Sequence, residues 1–377
     1  DEDEENRCYE KECRAVDQAL NLNAGPLINA VLFRRSSDQD CVLYISVHHL
    51  VMDGVSWRII LEDMETFYTL VRDSSCDVKH RRISSTTPFI NWAASLSERI
   101  DTLLDGEVSA FWLKQNVQGS VLPRLTDDKA DGVGSNADDQ MDIVRDEVSE
   151  SVVFNKDDTY SLCRNVTKKY GIDVLSILLG ALAKNVLDLI ADTDGVTIEC
   201  ESHGRNEFYP GCDLTRTVGW FTSKYPLHFQ RQTMLRDKPG QLAFTQSLLD
   251  AVPDQGISYG MLRYLDATSA CSGWVDPEIR FNYLGNMSAV SSKNGLISHI
   301  DTSLGMTRSL EQVRDVVLDI NAMITDGCLE IKFSYGKYVL DHRFMDSLVA
   351  NYHQYLCELV QQTTDKSLAA TDLKAAT

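Results

Sequence analysis

The pattern of hydrophobic and polar positions in the first part of the chain predicts two strands flanked by helices. In the segment 41–47 both sets of alternating positions are apolar, as in a strand that is buried on both faces. The polar stretch 36–40 precedes it and predicts the turn of a hairpin. Apolar residues then recur at helical spacing after His49. The predicted elements are a helix over 8–22, strands over 27–34 and 41–47, and a helix over 56–71.

The later part of the chain predicts further helices and several strands in mixed order. Residues 88–118 predict a helical region, and Asp173 is a suitable N-cap for an apolar helix over 174–190. Asp326 and Gly327 predict a tight hairpin turn. The predicted strands cover 196–201, 221–229, 278–284, 315–325 and 329–335, and a terminal helix covers 341–362. Strands and helices that do not strictly alternate favour a mixed α/β or α+β fold.

Composition and one polar segment predict two lobes. A length of 377 residues is enough for two domains or for one large two-lobed domain. The composition, 43% hydrophobic and 24% charged, is typical of an ordinary folded protein. The segment 127–139 is polar, contains glycines and has almost no large apolar side chain, which predicts an exposed linker. We therefore expect an N-terminal lobe over 1–126, a linker over 127–143 and a C-terminal lobe over 144–377.

Charge and cysteine content exclude several classes of protein. Acidic residues outnumber basic ones by 56 to 36, and the net charge of −20 argues against nucleic acid or an anionic membrane as the main partner. No apolar stretch reaches the roughly 20 residues that cross a bilayer. The ten cysteines form neither a CxxC pair nor a cluster with histidine, which predicts a reducing, cytoplasmic compartment and no metal site. The acidic opening residues, which lack an initiator Met, indicate a piece of a longer polypeptide.

The segment HHLVMDGVSW, residues 48–57, is the first candidate for chemistry. His48 and His49 end a predicted strand, where an imidazole that titrates near pH ~6.5 can face a cavity. Asp53 and Gly54 form a turn into a helix, whose N-terminus favours a developing negative charge. Two histidines that only satisfy local hydrogen bonds are the alternative interpretation.

The segment ECESHGR, residues 199–205, is the second candidate. Alternation along the predicted strand places Glu199 and Glu201 on a polar face and Cys200 on the other face. Glu201 comes last, at the mouth of the strand, where partial burial would raise its pKa and suit it to general acid–base catalysis. A surface strand with two solvated carboxylates is the alternative interpretation.

Two further segments carry polar groups whose pattern is less specific. The strand RFNYLG, residues 280–285, contributes the amide of Asn282 and the phenol of Tyr283. The segment RTVGWFTSKYP, which starts at Arg216, contributes a guanidinium before a loop and a strand. Each segment alone is also typical of packed structure. The chain contains no phosphate-binding loop, serine-hydrolase elbow or zinc-protease motif.

Together with PDQGISYG, residues 253–260, these four segments resemble the epimerization domains of nonribosomal peptide synthetases. Those domains belong to the condensation-domain superfamily, which the HHxxxDG segment marks. The resemblance implies a two-lobed sandwich similar to chloramphenicol acetyltransferase, with a tunnel between the lobes and an incomplete N-terminal lobe. Ser202, Asn206 and Ser258 depart from the family's pattern.

The resemblance also implies roles for individual residues. It makes His49 and Glu201 the catalytic pair, on opposite sides of the tunnel. It makes Asp53 the structural aspartate of the motif, paired with Arg205. The other implied residues are Asn282 and Tyr283 at catalytic positions, and His48, Gly54, Trp57 and Arg216 at supporting ones.

The implied reaction interconverts the L and D configurations at the α-carbon of an aminoacyl or peptidyl thioester. A proton leaves one face of the carbon and returns to the other, while the His49 imidazolium, Tyr283 or amides near Gly54 stabilise the enolate. The resemblance implies no directly bound cofactor or metal, because a thioester already helps to delocalise the enolate. It also implies that the substrate arrives on the 4'-phosphopantetheine of a peptidyl carrier domain. Neighbouring adenylation and condensation domains are further implied partners.

Two other functions stay open. In a condensation domain, which forms a peptide bond, His49 would assist the incoming amine and Glu201 would be dispensable. A non-catalytic carrier-docking remnant would fit an incomplete N-terminal lobe, although the intact His49, Asp53, Glu201 and Tyr283 argue against it. Within the epimerase hypothesis, we expect Glu201 to take the proton and His49 to return it.

Overall fold

Two units of mixed helices and strands make up the chain. The computed structural model describes residues 2–34, 41–72, 86–104, 106–117, 122–125, 141–205, 211–266, 273–286, 296–297 and 308–364. The first unit comprises 1–94, 205–222 and 289–309, and the second comprises 95–204, 223–288 and 310–377. Residues 127–140 of the predicted linker lie outside the described residues, as does Asn206, so the predicted lobe ranges stay a prediction.

The first unit is built from a hairpin and the helices around it. Its elements are α1 Glu2–Gln18, β1 Ile28–Arg34, β2 Cys41–Val47, α2 Gly54–Arg72 and the start of α3 Phe89–Arg99. β1 and β2 pair antiparallel, as predicted. Helix α1 ends before the prediction, because the Asn21 side chain accepts hydrogen bonds from the backbone N–H groups of Asn23 and Ala24 and forms a turn.

The prediction that β2 is buried on both faces is wrong. Helix α1 packs on one face of the hairpin, where the rings of Tyr9 and Phe33 lie 4.4 Å apart and the Tyr44 hydroxyl donates to Asp17 at 2.8 Å. On the other face Leu43 is 43% exposed. Because α1 covers one face of the two-stranded sheet in the described part of the first unit, the apolar side chains of the other face stay partly accessible.

The second unit contains a six-stranded mixed sheet in the order β3-β8-β7-β6-β4-β5. The neighbours β4, β6 and β7 run parallel and the other pairs antiparallel. The strands are β3 Glu147–Phe154, β4 Gly195–Ser202, β5 Ser223–Gln230, β6 Ile279–Asn286, β7 Leu318–Thr325 and β8 Cys328–Gly336. The helices are α4 Asp101–Leu104, α5 Glu107–Gln115, α6 Lys156–Tyr160, α7 Thr167–Tyr170, α8 Val174–Leu189, α9 Arg231–Met234, α10 Lys238–Asp250, α11 Ile257–Tyr264 and α12 His342–Thr364. These elements confirm the predicted mixed α/β fold and its strands, with shifted ends.

Two turn signals in the sequence are also confirmed. The Asp173 carboxylate accepts the backbone N–H of Ser176 at 2.6 Å and caps α8. Asp326 and Gly327 join β7 to β8 with φ values of 52° and 83°, the left-handed conformation that tight hairpins require.

The sheet of the second unit has one face against helices and one polar face. On the helical face, Ile198 and Cys200 of β4 are buried in a core that includes most of α8. On the polar face, Glu199 and Glu201 alternate with them. No helix in the described part of the chain has the length and hydropathy of a membrane span.

Candidate active site

The HHxxxDG segment forms a short turn between β2 and α2. His48 follows the strand and caps the next turn, since its Nδ1 accepts the backbone N–H of Leu50 at 3.2 Å. One 3₁₀ turn follows over His49–Val51. Asp53 then caps α2, since its Oδ1 accepts both the backbone N–H and the hydroxyl of Ser56 at 2.9 Å. The segment therefore has a defined backbone path that displays His49 at the surface of the first unit.

His49 is exposed and contacts an aromatic ring from a distant part of the chain. Its imidazole lies 5.2 Å from the ring of Trp220, at an interplanar angle of 57°. Trp220 belongs to the RTVGWFTSKYP segment, another of the candidate segments in the sequence. The structure thus brings two of the four predicted segments together in the first unit.

Asp53 and Arg205 form a buried ion pair in the first unit. Arg205 Nη1 lies 2.5 Å from Asp53 Oδ2, and the side chains are 5% and 1% exposed. Arg205 Nη2 also donates to Ser56 Oγ and to the carbonyl of Thr217. Burial acts to raise the pKa of Asp53, but hydrogen bonds and the Arg205 charge outweigh it and lower that pKa. The expected pair is present, and it fastens the loop around 205 to the start of α2.

The other supporting residues predicted in the first unit occupy different surroundings. Arg216 donates to Glu62 at 2.8 Å and to Asp63 at 2.5 Å, so it holds its loop on the outer part of α2. Trp57 is half-buried, and Gly54 is exposed at the first turn of α2. A Cβ at Gly54 would meet no atom within 4 Å, so nothing in the described structure requires a glycine there.

Glu201 lies on the polar face of the sheet in the second unit, close to two cations. Its side chain is 15% exposed, and Oε1 lies 3.7 Å from Lys224 Nζ and 3.9 Å from Arg280 Nε. Burial raises its pKa; Lys224 and Arg280 act to lower that pKa, while Asp319 and Glu199 raise it further. The net result is a carboxyl group whose pKa is higher than usual, a direction that favours a general acid or base.

Arg280 is the centre of a charged cluster that local sequence patterns did not predict. Its Nε donates to Glu199 at 2.5 Å and its Nη2 donates to Asp315 at 2.8 Å. The parallel register of β4 and β6 sets Arg280 beside Glu199, and the antiparallel register of β4 and β5 sets Lys224 beside Glu201. Only strand pairing reveals this cluster, because its members are far apart in the sequence.

The two polar residues of the RFNYLG strand point to opposite faces of the sheet. Asn282 follows Arg280 at the polar face, whereas Tyr283 follows Phe281 and packs against the core on the helical face. Burial, followed by the charges of Cys163 and Asp173, raises the pKa of Tyr283 to about 12. The structure therefore does not bring Tyr283 together with Glu201.

Tyr283 adjoins a different region of the second unit. Cys163 and Asp173 line a surface cavity of about 720 Å³ between the π-helical segment Ser161–Val166 and α10. None of the predicted catalytic residues lines it. Among the described residues no group of three or more histidine, cysteine, aspartate or glutamate side chains is arranged to hold a metal ion.

A family model and several synthases match nearly the whole chain. The model described as condensation domain matches residues 1–373. The chain is 32% identical over 356 residues to tyrocidine synthase 2 from Brevibacillus parabrevis, which covers 93% of the chain and 9% of that protein. It is 29% identical over 378 residues to gramicidin S synthase 1 from Brevibacillus brevis, which covers 97% of the chain and 33% of that protein. The chain thus spans a third or less of the length of each relative.

Solved structures with a similar fold include an epimerization domain and a condensation enzyme. The epimerization domain from the third module of tyrocidine synthetase B superposes with a TM-score of 0.79 at 30% identity, covering 96% of this chain and 78% of that one. VibH, a nonribosomal peptide synthetase condensation enzyme, superposes with a TM-score of 0.65 at 13% identity, covering 98% and 79%. At that low identity the second likeness shows the fold alone.

Proposed function

This chain belongs to the condensation-domain family, and from that premise we propose that it epimerizes the α-carbon of an aminoacyl or peptidyl thioester. The thioester is held on the 4'-phosphopantetheine of a peptidyl carrier domain, with adenylation and condensation domains as neighbours in the same synthetase. The similarity to a solved epimerization domain supports this choice within the family. So do the longer synthases to which the chain is related.

The environment of Glu201 is the observation that carries the proposal. Epimerization needs a base that removes a very weakly acidic α-proton, and the pKa of Glu201 is raised by burial. Among the described residues no hydrogen bond to the Glu201 carboxylate is made, so its oxygens are available to accept a proton. A condensation domain in which His49 assists the amine has no use for such a carboxylate.

The mechanism assigns one proton transfer to each of two groups. Glu201 takes the α-proton, and the electron pair of the C–H bond moves to the thioester carbonyl oxygen to give an enolate. The His49 imidazolium stabilises that oxygen anion and then returns a proton to the opposite face of the carbon. Each positioned transfer contributes about 10²–10⁴-fold to the rate. No cofactor takes part in this scheme.

The two faces of β6 support different roles for its polar side chains. Asn282 shares the polar face with Glu201, so we assign it the role of orienting the substrate by hydrogen bonds. Tyr283 packs on the helical face, and we assign it a structural role.

Deuterium exchange tests the proposal directly. An L-aminoacyl carrier protein is incubated with this chain in deuterated buffer, and the α-position is analysed by mass spectrometry and chiral chromatography. We expect uptake of one deuterium together with a D/L mixture. Product that forms only when an acceptor amine is added would instead indicate condensation, and would overturn the proposal.

A positive control distinguishes an inactive domain from an inactive sample. The solved epimerization domain from tyrocidine synthetase B, assayed with the same loaded carrier, shows that the substrate is competent. Circular dichroism first shows that this chain is folded. If the tyrocidine synthetase domain then exchanges the α-proton and this chain does not, the epimerase proposal is wrong.

A further inference from the structure

The Arg280 guanidinium gives its hydrogen bonds to two carboxylates other than Glu201. Nε donates to Glu199 at 2.5 Å and Nη2 donates to Asp315 at 2.8 Å. From Nε to Glu201 Oε1 the distance is 3.9 Å, which is too long for a hydrogen bond. Arg280 is 9% exposed, so this choice of partners is set by the interior of the second unit and not by solvent.

Lys224 lies between Glu201 and Asp315 and forms a hydrogen bond with neither carboxylate. Its ammonium lies 3.7 Å from Glu201 Oε1 and 3.8 Å from Asp315 Oδ2, again beyond the length of a hydrogen bond. Lys224 is the antiparallel partner of Glu201 on β5, so its backbone position is fixed by the register of the two strands. Both cations are therefore near Glu201 without donating a hydrogen bond to it.

A hydrogen bond from a cation lowers the pKa of a carboxylate much more than a cation that is only nearby. A charge-assisted hydrogen bond is roughly twice as strong as a neutral one, and it stabilises the ionised form specifically. An Arg280 that bonded to Glu201 would make it a weak base, like Asp53 beside Arg205. The cluster avoids this outcome by supplying Arg280 with other acceptors.

The acidic groups around Glu201 raise its pKa, against the effect of the two cations. Facing it are Glu199 from its own strand and Asp319 from β7, both of which raise its pKa, against the lowering effect of Lys224 and Arg280. Asp315, before β7, touches both cations. The pKa of Asp315 is itself lowered: burial opposes this, but the hydrogen bond and charge of Arg280 prevail.

We propose that Glu199 and Asp315 are positioning residues that hold Arg280 on themselves and away from Glu201, which keeps the Glu201 carboxylate basic enough to take a proton. This inference rests on the proposed function, in which Glu201 is the base. It assigns a role in proton transfer to two carboxylates that do not touch the substrate.

Substitution of Glu199 tests the inference with a readout that is independent of activity. In the full chain with ¹³C-carboxyl-labelled glutamate, the Glu201 resonance is assigned by its loss in Glu201→Gln and titrated by NMR. We expect Glu199→Gln to free Arg280 for Glu201 and to lower the Glu201 midpoint by about one pH unit. Asp315→Asn, at a half-exposed position, should lower it as well. Unchanged midpoints in both variants would overturn the inference.

A double variant separates positioning from simple charge repulsion. If Glu199 acts through Arg280, Glu199→Gln should shift the midpoint much less in an Arg280→Gln background than in the wild-type chain. An equal shift in both backgrounds would mean that Glu199 acts only through its own charge, and would contradict the positioning role. If Arg280→Gln does not fold, Arg280→Lys serves as the background, since a lysine lacks the fork that bonds two carboxylates at once.

Glu330→Gln is the matched control. Glu330 is an exposed glutamate on β8 that accepts a hydrogen bond from Ser151, and its substitution should leave the Glu201 midpoint unchanged. The acid limb of the deuterium-exchange rate is then measured for each variant. If the NMR midpoint shifts but the rate profile does not follow it, the positioning network stands, while the proposed role of Glu201 as base is wrong.

Discussion

Asp53 and Arg205 are 152 positions apart in the sequence and form an ion pair of 2.5 Å with almost no solvent access. The pair also holds the segment that carries Trp220, the ring beside His49, since Asp53 Oδ2 accepts the backbone N–H of Phe221 and Arg205 Nη2 donates to the Thr217 carbonyl. We therefore expect the pair to hold the surroundings of His49 in place.

Asp53→Asn should destabilise the chain strongly. The substitution leaves the Arg205 charge buried without its partner, a change that costs about 3–5 kcal/mol. Urea denaturation followed by tryptophan fluorescence measures this loss. Asp63→Asn is the matched control, because its pair with Arg216 is about one-third exposed and should be worth less than ~1 kcal/mol. Equal losses for both variants would contradict the structural role of the buried pair.

The contribution of Asp53 to the free energy of unfolding should also depend on pH. Because its pKa is lowered in the folded state from an ordinary value of 3.8, its stabilising effect is complete above that value and is lost as the pH falls through the folded pKa. The difference in unfolding free energy between wild type and Asp53→Asn should accordingly shrink in strong acid. A difference that grows on acidification would have the wrong sign.

His49→Ala and Glu201→Gln should each reduce deuterium exchange by at least about 10²-fold, because each removes one positioned proton transfer. Both variants should keep the wild-type circular dichroism spectrum, since His49 is exposed and Gln is isosteric with Glu. His353→Ala, at an exposed position on α12, is the control for loss of a surface histidine. Exchange at the wild-type rate in either active-site variant would refute the role assigned to that residue.

The exchange rate should fall on acidification at a higher pH than an ordinary glutamate would cause. Glu201 must be ionised to accept a proton, and its pKa is raised above the usual 4.5 by burial. The rate is therefore retained above the raised pKa and lost below it. Initial rates of deuterium uptake across an acid pH series give the midpoint, and a midpoint below 4.5 would contradict the assignment.

Glu201→Gln should also raise the thermal midpoint at neutral pH. A group whose folded pKa is raised loses stabilising effect as the pH rises through that pKa, so the ionised carboxylate is a net cost at pH 7. The neutral amide removes this cost. Scanning calorimetry at neutral and at acid pH should show a gain in Tm that disappears in acid.

Gly256→Ala should be much more destabilising than Gly171→Ala. Both glycines have positive φ, so each substitution carries a backbone cost of about 1–2 kcal/mol. A Cβ at Gly256 would lie 2.0 Å from Cδ1 of the buried Tyr225, whereas one at Gly171 would meet nothing within 4 Å. We expect a loss of about 3 kcal/mol or more at Gly256 by urea denaturation. Similar losses at the two sites would show that the turn can move away from Tyr225.

Local patterns predicted most of the elements, and they also predicted the polar side of Glu201. Alternation along β4 places Glu201 on the face opposite to that of the buried Cys200. The sequence shows this directly, because polar and apolar residues alternate there. The same rule applied to β6 would have placed Tyr283 with Phe281 in the core. The family resemblance, which treats Asn282 and Tyr283 together, hid that difference.

Local sequence patterns could not predict contacts between residues that are far apart in the chain. The contact of Arg280 with Glu199 depends on which strands are neighbours and on their register, and no periodicity within β4 or β6 encodes either. The exposure of Leu43 had a similar origin, because an apolar strand looks the same in sequence whether one or two layers cover it. The ion pair of Asp53 with Arg205 was expected only through the family resemblance.

The turn at 254–256 has a practical consequence for redesign of this domain. Asp254 and Gln255 adopt positive φ values of 48° and 49°, in the left-handed region that favours glycine. The Gln255 carbonyl accepts hydrogen bonds from the hydroxyls of Ser202 at 2.6 Å and Ser223 at 3.1 Å. One oxygen atom thus restrains the ends of two strands next to Glu201 and keeps them from fraying. Substitutions meant to change the surroundings of Glu201 should therefore leave this restraint untouched and vary side chains elsewhere on the polar face.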